Sequence, residues 1–168
     1  MIGLKMPCRG YLDIETTGLS RTYAELTVVG IGFEHGDSFE CIQLVGHRIT
    51  PGAVVRLLKR APVFYTYNGA RFDLPFIKAR LGVNLADYTG HRDLMYQCWK
   101  RKLFGGLKVV ETTLGIARQT QGIDGRMAVR LWYQYLNNYD RQALALLLRY
   151  NAEDVRNLMV LRKKLGID

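Results

Sequence analysis

The sequence has little from which to build a disulfide framework or a soft-metal site. Its three cysteines, Cys8, Cys41 and Cys98, are widely scattered and form no CxxC pair. That excludes a cystine scaffold and a zinc knuckle. Long hydrophobic runs are also missing. The opening MIGLKMPCRG has no apolar stretch of the kind a secretory leader needs. The longest clean apolar block, Ala143–Leu148, is far too short to span a bilayer. There are no internal repeats, low-complexity tracts or linker-like segments. Acids are outnumbered, with 15 Asp+Glu against 24 Lys+Arg and a formal charge of +9. These absences lead to the expectation of one domain over residues 1–168, with no membrane association, in a reducing cytoplasm. No feature indicates an oligomer, so a monomer is the default.

What is present suffices for a core, because hydrophobic residues make up 48% and aromatics 11%. The positive charge is uneven. Residues 1–99 hold 11 Lys/Arg and 9 Asp/Glu, whereas residues 100–168 hold 13 and 6. Such asymmetry points to a polyanionic partner, nucleic acid first; a solvated basic helix face would produce the same count. RGYLDI at 9–14 reads as a strand. Leu26–Phe33 and Ser38–Val45, with EHGD between them, read as a hairpin. Residues 51–60 read as a helix with Thr50 as cap and Pro51 in its first position. VFYTYN at 63–68 is β-forming, a helix is expected over about 71–81, and Tyr88–Leu94 is a further strand candidate. Beyond Asp93 the pattern is mostly helical. The clearest helix runs from Asp140 to Leu165, with Leu144, Leu147, Leu148, Val155 and Leu158 in one stripe. Strands first and alternating elements afterwards imply an α/β fold, a mixed sheet with helices packed on it.

Three short segments place acids where a core should form. In YLDIETTGLS, Asp13 and Glu15 share one face of a strand. At roughly 5 Å and an effective dielectric of about 20 they would repel by about 3 kcal/mol. Cations or a proton would relieve this; taken alone, the pair also fits an exposed strand end. In YNGARFDLPFI, Asp73 falls in the first turn of a helix, where the dipole favours an acid with or without function. In RYNAEDVRNL, Tyr150 and Asp154 lie on one helical flank. The apolar stripe centres near Asn151, with Asp154 about 60° away and Glu153 about 160° away, so Glu153 is expected to face water. Tyr150 alone would serve equally as a boundary aromatic.

The ordered set DIETTG, NxxxFD and YxxxD resembles the DEDD, or DnaQ-like, superfamily of 3′→5′ exonucleases on an RNase H-like fold, over residues 9–165. GGLKVVETTLGIARQ and YNAEDVRNLMVL look like its YprB-type branch. The resemblance implies a five- to six-stranded mixed sheet, an antiparallel hairpin beside parallel strands, flanked by helices. It implies metal ligation by Asp13, Glu15, Asp73 and Asp154, with Tyr150 as the tyrosine of the DEDDy subtype; the histidine subtype's position is Arg149 here. It implies two divalent cations, Mg²⁺ or Mn²⁺, which carboxylates suit, no organic cofactor, and a single-stranded 3′ end as partner. Thr16, Thr17, Gly18, Leu19, Asn68 and Phe72 would contact the terminal nucleotide. Asp93 is expected to be structural, a helix cap. Arg71, Arg149, Arg156 and the Arg162–Lys164 cluster are candidates to track phosphates, or a solvated face. An endonuclease using the same acids and a non-catalytic nucleic-acid-binding module are the rival readings.

Overall fold

In the computed structural model, residues 8–168 are described. Residues 1–7, in which the sequence shows no leader-like run, lie outside them. Five strands form one sheet: β1 (Arg9–Thr16), β2 (Leu26–His35), β3 (Ser38–Val45), β4 (Val63–Thr66) and β5 (Gly90–Asp93). Their order is β3-β2-β1-β4-β5. β1 and β3 both pair antiparallel with β2, while β4 runs parallel to β1 and to β5. This is the expected hairpin beside parallel strands, in an RNase H-like α/β arrangement. Among the described residues six α-helices flank it: α1 (Pro51–Leu58), α2 (Asp73–Leu81), α3 (Leu94–Lys100), α4 (Leu107–Thr113), α5 (Gly125–Asn138) and α6 (Arg141–Lys164). Among the described residues no helix is long and apolar enough to cross a membrane.

Local chemistry explains the boundaries. Thr50 Oγ1 accepts from Ala53 N at 3.2 Å with Pro51 behind it, which starts α1. Asp140 Oδ1 accepts from Gln142 N and Ala143 N at 2.9 and 3.0 Å, which starts α6. Asp93 is the cap of α3, accepting from Met95 N at 3.0 Å, and it also takes the amides of Asn68 and Ala70 at 2.8 and 3.0 Å. That second role shortens the strand expected at 63–68. Asn68 turns to φ +60°, and the chain bends over the end of β5 before α2 begins at Asp73 rather than at 71. The strand expected from Tyr88 starts at Gly90, because the Tyr88 amide bonds back to Leu85 in a 3₁₀ turn.

β1 alternates between two cores. Leu12 and Ile14 pack with Val54, Leu58, Phe76 and Ile77 on the α1–α2 side. Tyr11, on the other face, joins Val155, Leu158 and Leu161 of α6. Asp13 and Glu15 share Tyr11's parity, so both turn towards α6. α6 crosses β2 closely enough that two positions must lack a side chain. A Cβ at Gly30 would fall 2.1 Å from Asn151 Oδ1, and one at Gly32 2.8 Å from Val155 Cγ1. Close approach, not turn-making, is why β2 carries two glycines.

Candidate active site

A cleft of about 460 Å³ opens where the C-terminal end of β1, the start of α2, the start of α5 and the middle of α6 meet. β1 supplies Asp13 and Glu15, α2 supplies Asp73, and α6 supplies Tyr150 and Asp154, all of which line it. Carboxylate oxygens of Asp13, Glu15 and Asp154 come within 4.8 Å of one another. Asp73 stands outside that tight group, and its Oδ1 accepts from Ile14 N at 3.1 Å, tying α2 to β1. Thr16, Gly18, Leu19, Asn68 and Phe72 line the same cleft. Thr17 does not. Its hydroxyl accepts from Glu25 N at 2.9 Å and its amide donates to Glu25 O at 3.0 Å, so it closes the β1–β2 loop away from the acids.

Burial and mutual repulsion leave Asp13, Glu15 and Asp73 short of counter-charge, whereas Asp154 is paired with Arg118. Burial raises the Asp13 carboxyl to about 7, against relief from the Asn151 hydrogen bond and from the Arg118 and Lys108 charges. Burial and then the charges of Asp13 and Asp73 hold Glu15 well above the usual carboxylate range. Burial and then Asp13 do the same to Asp73. Burial and the charges of Glu15 and Asp13 keep the Tyr150 phenol protonated well past its ordinary range. An all-oxygen donor set that resists ionising together fits a hard divalent cation, which would supply the missing positive charge.

Three polar partners of these acids and of Tyr150 were not singled out from sequence. Asn151 Nδ2 donates to Asp13 Oδ2 at 2.9 Å and to Asp13 O at 3.2 Å, while its Oδ1 accepts from Gln43 Nε2 at 2.9 Å. Its signal was visible: an amide at the centre of α6's apolar stripe must find partners inside. Arg118 Nη1 donates to Asp154 Oδ1 at 2.7 Å and lies 3.3 Å from Glu111 Oε2; Nη2 reaches the same Asp154 oxygen. Lys108 Nζ donates to Tyr150 Oη at 2.9 Å, and it also donates to Ile123 O. Both cations come from the GGLKVVETTLGIARQ stretch, yet no periodicity says that its loops fold back over the site.

Two expectations are corrected. Glu153 does not face water; its carboxylate accepts from Gln119 N at 2.5 Å and Thr120 N at 2.9 Å, fastening the segment that carries Arg118. A helical wheel cannot see a loop laid across the helix. Arg162 is not available to phosphates. It is 5% exposed and bonded to Tyr11 Oη at 2.7 Å and Glu34 Oε2 at 3.2 Å. Arg71, Arg149 and Arg156 are exposed but do not line the cleft.

Comparison with known proteins gives this architecture a family. A family model described as RNase_H superfamily matches residues 10–166, so the chain belongs to that superfamily. A search of curated proteins finds no match. Among solved structures, the chain is similar to the family B DNA polymerase of Pyrobaculum calidifontis, with TM-score 0.73 and 19% identity. That match covers 95% of this chain but 24% of the polymerase, so the chain spans about a quarter of that protein's length. It is also similar to NrnC of Brucella melitensis, with TM-score 0.60 and 24% identity over 94% of this chain and 71% of that one. A structure titled "apo form of the nuclease" matches at TM-score 0.60 and 23% identity, covering 96% and 72%.

Proposed function

We propose that the chain is a metal-dependent 3′→5′ exonuclease of single-stranded nucleic acid ends, with the tyrosine-type site of the DEDD exonucleases and of the YprB-type branch. The observation that carries this reading is the convergence of Asp13, Glu15 and Asp154 on one cleft beside Tyr150. Asp13, Glu15, Asp73 and Asp154 would hold two divalent cations, Mg²⁺ or Mn²⁺. Such ions, when bound, acidify an attacking water and stabilise a leaving oxygen. Asn151 holds Asp13 in one rotamer, with Gln43 setting the orientation of the Asn151 amide. Tyr150 is a hydrogen-bond donor rather than a base. Its phenol stays protonated, and Lys108 already donates to its oxygen, so its own O–H is free to orient a water in the cleft. Leu19, 85% exposed on the cleft rim, would pack on the terminal base. Asn68 and Phe72, fixed by the Asp93 clamp on their turn, would flank the sugar.

The test is a time course on 5′-labelled single-stranded DNA and RNA with Mg²⁺ or Mn²⁺. A ladder receding one nucleotide at a time from the 3′ end, lost in Asp154→Asn and in chelator, is expected. A few internal fragments would instead make the protein an endonuclease built on the same acids. Binding without cleavage under every metal would make it a non-catalytic module.

A further inference from the structure

The outer face of α5 continues from the cleft. Arg126 and Val129 line the cleft itself, and Val129 also opens a neighbouring groove with Arg130, Tyr133, Gln134 and Asn137. At about 100° per residue, Arg126, Arg130, Tyr133 and Asn137 fall within one narrow stripe. The opposite stripe, Ala128, Leu131 and Trp132, is buried against the body of the fold. Arg126, Arg130 and Asn137 are exposed, and Tyr133 is 45% exposed. α5 contains no acid from Gly125 to Asn138, although its cap Asp124 carries a charge that Arg126 feels. Neither guanidinium enters an ion pair or a side-chain hydrogen bond among the described residues. Other arginines near the sheet are spent: Arg60 on Glu40, Arg80 on Glu25, Arg118 on Asp154 and Arg162 on Glu34. The face carries one sign of charge, unlike the alternating-sign faces of salt-bridge-laced exposed helices.

We propose that this stripe is the track along which a single strand leaves the cleft, Arg126 and Arg130 meeting successive phosphates and Tyr133 stacking on a base. The proposal rests on the exonuclease reading for what occupies the cleft, and it adds where the strand lies upstream of the cut. Alternating cations and an aromatic suit single strands of any sequence, because every phosphate is anionic and every base has a flat face. The stripe spans roughly 16 Å along the helix at about 1.5 Å per residue, so a dinucleotide seated among the acids would not use its outer half.

The experiment measures binding apart from cleavage, using the full chain in Ca²⁺ and a fluorescein-labelled oligothymidylate of about twelve nucleotides. A double variant, Arg130→Gln with Tyr133→Ala, leaves the cleft lining intact. Its oligomer affinity is expected to fall about tenfold or more, and its log–log salt slope to shrink by about 0.7 for the lost phosphate contact. Competition by an unlabelled dinucleotide should be unchanged. Equal affinity and slope in variant and wild type would overturn the track, as would a matching loss for the dinucleotide or a wild type that binds no oligomer. Whether the same protein cuts the oligomer in Mg²⁺ decides the exonuclease reading separately.

Discussion

Removing one of the acids from the cleft should stabilise the metal-free protein. Burial holds Asp13 at about 7 against an ordinary 3.8. The folded chain therefore binds a proton that the unfolded chain has released. That contribution to stability is complete below about pH 4 and is lost as pH rises through about 7. The full shift corresponds to about 4 kcal/mol, at about 1.4 kcal/mol per unit. Asp13 is only partly buried by its surface, so solvent screening reduces this to about 2 kcal/mol. Asp13→Asn removes the charge and keeps an oxygen to accept from Asn151 Nδ2. In EDTA at pH 8 the variant should melt about 4–8 °C above wild type, since 1 kcal/mol moves Tm by about 2–4 °C in a chain of this size. At pH 5 the gap should shrink, because wild-type Asp13 is then protonated in the fold. Mg²⁺ should raise wild type and leave the variant nearly unmoved, closing or reversing the gap. Calorimetry at both pH values, with and without Mg²⁺, reads all of this. A variant less stable than wild type at pH 8 in EDTA, or a gap indifferent to pH, would show that the Asp13 charge carries no such cost in the fold.

Further substitutions probe single links. Tyr150→Phe should lower the cleavage rate about 100-fold or more, as loss of a group that positions a proton does, with Mn²⁺ affinity by calorimetry unchanged; full activity would remove Tyr150 from the chemistry. Arg118→Ala leaves Asp154 and Glu111 without their shared cation and should cost about 3 kcal/mol in chelator, read by urea unfolding, with Mg²⁺ restoring part of the loss. Gly30→Ala forces a methyl group onto Asn151 and pushes α6 off β2. It should cost about 1–3 kcal/mol and reduce cleavage through displacement of Tyr150 and Asp154, although it touches neither.

How much of this could be read beforehand depended on what each residue answers to. Alternation in YLDIE and the wheel of the last helix are properties of single elements, and they put Asp13, Glu15, Asp154 and Tyr150 on faces that do meet in one cleft. The hairpin and the capped helices were legible for the same reason. Arg118 and Lys108 were not, because they come from short loops and a two-turn helix whose positions depend on what they fold against. Glu153 and Thr17 show the same limit: one fastens a passing loop and the other closes a turn, and both partners are distant or aperiodic in sequence. Arg162 is the clearest case, since a basic residue in a basic run reads as surface until Glu34 and Tyr11 are seen beneath it. Asn151 differs, because its place at the heart of an apolar stripe already demanded a buried partner.

Asp13, Glu15, Asp73 and Asp154, far apart in sequence, are proposed to hold two cations in one site. Anomalous diffraction from a crystal of the protein grown in Mn²⁺ decides this. Manganese is expected between the carboxylates of Asp13, Glu15 and Asp154, with Asp73 facing it directly or through water and the Arg118 guanidinium turned off Asp154. Density showing Arg118 still bonded to Asp154, the oxygens of Asp13 and Glu15 turned apart and no anomalous peak between them would rule the site out.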